Sequence, residues 1–265
     1  MRVRPRIGCD AATLDAMRTT SRGFGIHYTV TGDGPPLMLV AGTMMAARHW
    51  ADAGYVAALA GGRRVINVDP LGHGGSDRPH DPDDYRADGV TADLVAVLDA
   101  EGVDRATCWG YSRGGWLACS MASHHPARVE GLVVGGFAMH AYRDEVTRTL
   151  TPLAEHLRAG DWAAVWRAFG VTDAAFMAMM EADNDAQAVA AAVAGSMTPT
   201  RYVDPASVTC PAIYYVGSRD WIVPHVRADV AAVGATLDEI PGQTHLGAFY
   251  GAAEQVLARV TARLG

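Results

Sequence analysis

The chain has 265 residues, 49% hydrophobic and 19% charged, with a net charge of −7. It is too apolar and too weakly charged for a disordered polymer and long enough to bury one full core, and its negative charge argues against a nucleic-acid partner, whose phosphates need a cationic surface. All 22 basic residues are Arg, so Schiff-base, lysine-dependent lyase and P-loop chemistry are excluded.

No run of 18 apolar residues occurs, so no membrane span is expected. Cys9, Cys108, Cys119 and Cys210 form no C-x-x-C pair and read as reduced thiols of a cytoplasmic protein. Arg2, Arg4 and Arg6 have no apolar stretch behind them, unlike a secretory signal. Residues 1–16 show no period and read as an N-terminal extension, which leaves open whether Met1 or Met17 is the start.

Gly25–Thr31 alternates as a strand, with His27 in an edge-like position, and ends at the turn-former Gly32-Asp33-Gly34-Pro35-Pro36. Leu37–Val40 and Arg64–Val68 are short apolar runs, as buried strands should be. Val90, Leu94, Val97 and Leu98 share a helical face that stops at Gly102. Ala106–Trp109 reads as a strand, the segment around Trp116, Leu117, Cys119 and Met121 as a helix, and Leu132–Val134 as another strand. Residues 138–204 break the alternation. Val146, Leu150, Leu153 and Leu157 mark one helix; Asp161 caps a second carrying Trp162, Val165, Trp166 and Phe169; Phe176, Met177, Met179, Met180 and an Ala-rich stretch follow. After Pro205 come strand Ala212–Val216, a helix, strand Thr236–Ile240 and a last helix. The pattern predicts a mostly parallel sheet with helices on both faces, formed by 17–137 and 205–265, with 138–204 as a helical cap. Ligands of such sheets bind outside the carboxyl ends of the strands.

One motif falls at such an end. Gly110-Tyr111-Ser112-Arg113-Gly114 fits G-x-S-x-G between a predicted strand and a predicted helix. With 29 Gly and 8 Ser in the chain, chance supplies roughly 0.1 such matches, so its place at the junction carries the weight. The sharp turn exposes the serine hydroxyl, and the helix N-terminus favours negative charge beside it. A serine needs a base, and the base an orienting carboxylate. Asp220 follows one late strand directly and His245 follows the next. Among ten histidines, His49 and His140 are the rivals for the base.

These residues resemble the α/β-hydrolase superfamily over about residues 20–265. Asp69-Pro70-Leu71-Gly72-His73-Gly74-Gly75-Ser76 is similar to its D-x-x-G-x-G-x-S loop, a structural turn, and Gly23–Tyr28 with the turn after it to its first hairpin. The resemblance implies an eight-stranded sheet whose second strand is antiparallel, a cap over the site, and the chain order Ser112, Asp220, His245, with Asp144 the alternative acid. It also implies an oxyanion hole from the backbone N–H groups of Thr43 and Arg113. Relatives usually read His-Gly where this chain reads Ala41-Gly42, so the histidine that braces that loop is missing. Arg113 either faces the pocket, where it would hold a substrate carboxylate, or pairs with an acid of the cap or a loop.

The expected function is a serine hydrolase acting on a small-molecule ester, lactone or thioester, similar to small esterases and enol-lactonases, with no metal or organic cofactor. The expected pocket residues are Met44, Tyr111, Trp162, Trp166, Met177 and Trp221. The alternatives are a carbon–carbon hydrolase, whose relatives carry Asn where Tyr111 stands; a cofactor-free perhydrolase, whose relatives carry Met where Arg113 stands; and a weakly catalytic small-molecule-binding protein. Oligomeric state is not legible.

Overall fold

The computed structural model describes residues 16–139, 143–197 and 203–264. The sheet holds eight strands: β1 (Ala16–Ser21), β2 (Phe24–Thr31), β3 (Pro36–Val40), β4 (Arg64–Val68), β5 (Ala106–Tyr111), β6 (Val129–Gly135), β7 (Ala212–Gly217) and β8 (Thr236–Ile240). Their spatial order is β1-β2-β4-β3-β5-β6-β7-β8. Only β2 runs antiparallel to its neighbours; the remaining pairs are parallel. This is the α/β-hydrolase fold. The central strands β3 and β5 are buried almost throughout, which is why they read as continuous apolar runs. His27 is a correction: β1 lies outside β2, so His27 stands inside the sheet. The β1–β2 hairpin turns on Arg22 and Gly23, both at positive φ (52° and 88°), the geometry whose twist matches paired strands.

Helices α1 (Ala47–Asp52), α2 (Tyr55–Leu59) and α10 (Ala253–Leu264) cover one face, while α3 (Ala87–Ala100), α4 (Arg113–His124) and α9 (Val223–Val233) cover the other. Between β6 and β7 the chain makes an all-helical excursion of α5 (Arg143–Arg158), α6 (Trp162–Phe169), α7 (Ala174–Asp183) and α8 (Ala186–Gly195). Its boundaries are written in the sequence. Asp161, Asp173 and Asp185 each accept N–H groups at the starts of α6, α7 and α8, and Gly170 ends α6 in the left-handed conformation. Among the described residues no helix is long and apolar enough to cross a membrane.

The chain leaves β3 toward β4 and returns across the sheet to β5, so a crevice opens at the carboxyl ends of β3 and β5. The loop after β4 braces that end. Asp69, 3% exposed, accepts the N–H groups of Ala47 and Gly75 and stands 2.7 Å from His27 Nδ1. Ser76 donates to the Asp69 carbonyl and accepts from His27 N–H. Burial pushes the Asp69 carboxyl up, but the bonds from His27, Ala47 and Gly75 together bring it below its ordinary value. A carboxyl depressed by folding stabilises the fold above its unfolded pKa, and that contribution is lost as pH falls through the folded value. Asp69→Asn, which cannot accept all these bonds, should cost about 2–4 kcal/mol at pH 7. Urea midpoints from pH 7 to 3 should show the deficit shrinking on the acid side.

Candidate active site

The loop ends at the carboxyl edge bring three side chains together. Ser112 sits between β5 and α4 at φ 54° and ψ −118°, a conformation that costs an L-residue about 1–3 kcal/mol. The neighbouring glycines make this turn possible. A Cβ on Gly110 would overlap the Gly114 carbonyl, and one on Gly114 would overlap the carbonyls of Val40 and Ala41. The Ser112 N–H donates to Gly135 O at 2.7 Å and fixes the turn against β6.

His245 follows β8 and Asp220 follows β7. His245 Nε2 is 3.0 Å from Ser112 Oγ, and Nδ1 is 2.6 Å from Asp220 Oδ2. With Nδ1–H donating to the carboxylate, Nε2 is left to accept the serine hydroxyl. The Asp220 side chain is wholly buried, and Asp220 Oδ1 accepts the Ile222 N–H at 3.3 Å. Tyr111 donates its hydroxyl to the His245 carbonyl, and its ring lies 5.4 Å from the imidazole. Beneath are Tyr215 and Phe249, 5.8 and 5.0 Å from Tyr111. Burial raises the Tyr111 phenol well above its ordinary pKa, so it remains a neutral donor.

The other candidates stand elsewhere. His49 lies in α1 rather than in a loop, 1% exposed. Its Nδ1 accepts the Ala46 N–H at 2.8 Å. Burial, then the Arg48 charge, lowers it to about 4, so it is neutral at pH 7. His140 and the side chain of Asp144 lie outside the described residues, as does Cys9. Among the described residues no group of three His, Cys, Asp or Glu side chains could hold a metal ion.

Thr43 and Arg113 flank the serine. Met45 N–H donates to Gly42 O at 3.1 Å, which closes a turn over Gly42–Met45 with Met44 at φ 61°. A Cβ on Gly42 would come within 2.9 Å of Tyr111 O and 3.4 Å of Ser112 Cβ, so this turn lies directly on the serine. The Arg113 guanidinium carbon is 5.6 Å from the Trp116 ring centroid, and the residue is buried. Together with burial, its charge lowers His73 to about 3. The Arg113 guanidinium thus lies beside Trp116 of α4.

A cavity of about 240 Å³ opens over Ser112 and His245. Thr43, Met44, Tyr111, Arg113, Trp166 and Trp221 line it, and so do Leu150, Leu153, Phe176, Met180, Val193 and Tyr250. Trp221 is 49% exposed. Trp162 and Met177 are corrections, since neither lines the cavity. Trp162 stacks on Trp166 at 5.9 Å, one helical turn away from the wall. On α7, Phe176 and Met180 share the inward face at i and i+4, and Met177 is rotated off it by about 100°. Leu150 and Leu153, read in the sequence only as a helical stripe, belong to the wall; so does Tyr250, for which the sequence carries no signal.

A family model described as alpha/beta hydrolase fold matches residues 35–137. The chain is 41% identical over 109 residues to 2-hydroxymuconate semialdehyde hydrolase of Pseudomonas sp. (strain CF600), which covers 41% of this chain and 38% of that protein. It spans less than half the length of the first curated relatives it matches. Among solved structures, the enol-lactonase of Burkholderia xenovorans LB400 superposes with a TM-score of 0.81 at 23% identity, over 94% of this chain and 99% of the other. Epoxide hydrolase A of Mycobacterium thermoresistibile superposes at 0.76 and 18%, over 94% and 97%. At those identities the two structures speak for the fold, which hosts more than one chemistry.

The glycine contacts make a paired test. Gly114→Ala should cost about 3 kcal/mol or more, because backbone carbonyls must move, and should lower the melting temperature by about 6–12 °C. Gly131→Ala, whose nearest neighbours would be 3.6–3.8 Å away, should melt within about 2 °C of the parent. Thermal unfolding of the two variants side by side decides it.

Proposed function

We propose that this chain, a member of the α/β-hydrolase superfamily, is a serine hydrolase cleaving the ester, lactone or thioester bond of a small apolar substrate. The observation that carries the reading is the unbroken relay from Ser112 Oγ through His245 to the buried Asp220. Ser112 Oγ attacks the carbonyl carbon as His245 Nε2 takes its proton, and Asp220 stabilises the resulting imidazolium. The N–H groups of Thr43 and Arg113 receive the oxyanion. Collapse of the tetrahedral adduct breaks the bond to the leaving group, which takes the proton from Nε2 and departs as alcohol or thiol. In a lactone it stays tethered to the acyl group. Water, deprotonated by His245, then attacks the acyl-enzyme, releases the acid and restores Ser112.

The wall of Leu150, Leu153, Trp166, Phe176, Met180 and Val193 supports an apolar acyl or alcohol group, bound by burial rather than by charge. The likeness to a 2-hydroxymuconate semialdehyde hydrolase favours a second reading, hydrolysis of a carbon–carbon bond beside a carbonyl by the same three side chains.

A fluorophosphonate probe should label the wild-type chain at Ser112, and Ser112→Ala should abolish labelling. Short p-nitrophenyl esters should be turned over. Asp220→Asn should lower kcat by about 10³–10⁴-fold, because the imidazole loses the partner that fixes its tautomer. Labelling without ester turnover would move the assignment to carbon–carbon cleavage. Absence of labelling in folded protein would overturn the activated serine and favour a binding protein.

A further inference from the structure

The turn that carries Thr43 is held from outside the α/β body. Asn184, the residue after α7, uses one side-chain amide nitrogen to donate to two carbonyls, Met44 O at 2.9 Å and Met180 O at 2.7 Å. Met44 is the third residue of the Gly42–Met45 turn, and its φ of 61° is left-handed in a residue that is neither Gly nor Asn. Turns of this shape normally place Gly or Asn there, because a side chain clashes with the following carbonyl. Met44 therefore needs an external tie to stay in place, and the carbonyl that Asn184 grips is its own. The neighbouring residue reinforces the seat: Asp183 pairs with Arg48 of α1, and His49 Nε2 stands 4.0 Å from the same carboxylate.

We propose that Asn184 is a positioning residue for the oxyanion hole: by fixing the Met44 carbonyl it holds the Gly42–Met45 turn in the form that aims the Thr43 N–H at the reacting carbonyl. The inference rests on the serine-hydrolase reading above. Thr43 and Met44 occupy one four-residue turn, so a Met44 that relaxes out of the left-handed region rotates the adjoining peptides and re-aims that N–H. The other end of the tie is in the substrate wall, because Met180, whose carbonyl shares the Asn184 amide, also lines the cavity. Transition-state stabilisation thus depends on how α7 sits, and a substrate that seats α7 correctly also sets the turn.

The test uses the full chain, a fluorophosphonate probe and p-nitrophenyl butyrate. Removing an oxyanion donor lowers kcat by about 10²–10³-fold, so mis-aiming one through Asn184→Ala should lower kcat and the labelling rate of Ser112 by about 10–100-fold, with KM within about twofold. Asn184→Asp, equal in shape but unable to donate, should behave the same way and serves if the Ala variant fails to fold. Asn184→Gln, which keeps the amide, should recover part of the loss. Gln187→Ala removes a comparable bond between α8 and the Arg158 carbonyl and should leave both rates unchanged. Wild-type rates in Asn184→Ala or Asn184→Asp, a loss confined to KM, or an equal loss in Gln187→Ala would each overturn the proposal and leave the serine reading standing. A wild-type chain that neither labels nor turns over ester would overturn both.

Discussion

The backbone of Ser112 is the constraint on which the site depends. At φ 54° and ψ −118° it occupies a region that L-residues avoid. The conformation persists because its surroundings leave no alternative. The Ser112 N–H is used by Gly135 O, the Ser112 carbonyl accepts from Trp116 N–H at 3.2 Å, and the bare faces of Gly110 and Gly114 let α4 press against β5 and the end of β3. Burial of Trp116 and Leu117 on α4, and of all six residues of β5, offsets the local strain many times over. The strain turns Oγ outward at the edge of the sheet and sets the first N–H of α4 beside it.

The imidazole is held by packing as well as by the Asp220 carboxylate. The His245 backbone carbonyl is tied to Tyr111, a residue adjacent to the serine, so His245 and Ser112 share one anchor. Below them Tyr111, Tyr215, Phe249, Trp109, Trp50 and Tyr55 interlock with ring separations of 4.8–6.1 Å. Such a floor has few rotamer alternatives, and it makes the buried Asp220 beside it depend on its partners. The carboxylate faces Nδ1 of His245 and accepts the Ile222 N–H, and that arrangement leaves Nε2 facing the serine.

Most of this was legible in the sequence, and the physical reason differs by element. Strands β3 to β7 stand out because burial on both faces demands continuous apolar runs, and G-x-S-x-G stands out because the close approach of α4 demands glycines. Strand β1 left no signal: Ala-Met-Arg-Thr-Thr-Ser is an edge whose residues are mostly exposed, so nothing enforces an alternation. Without it, His27 looked peripheral. Helical period showed that Trp162 and Trp166 share a stripe but not where along it the cavity ends. It likewise could not choose between Met177 and Met180 before the angle of α7 was known. Asn184 was silent because its partner Met44 is 140 positions away, and the left-handed turn at Met44 is masked by a residue type that never advertises one.

The two halves of the site answer to different tolerances. The relay of Ser112, His245 and Asp220 is set by loops at strand ends, where hydrogen-bond geometry within about 0.5 Å is required. Much of the cavity wall comes from α5 to α8, where what is required is volume and apolarity. Met and Ala serve that well: Met fills irregular space with low penalty, and the small residues of α8 let α5 and the turn at Pro82–Tyr85 approach closely, so that Gly195 has no room for a Cβ beside Pro82 and Tyr85. The wall can therefore change in shape without disturbing the relay, which is how one fold comes to serve different substrates. The Gly42–Met45 turn belongs to both halves, since it lies on Ser112 yet is tied to the end of α7. On the reading proposed above, a change in the wall that moves α7 reaches the reaction through that turn and not through the imidazole.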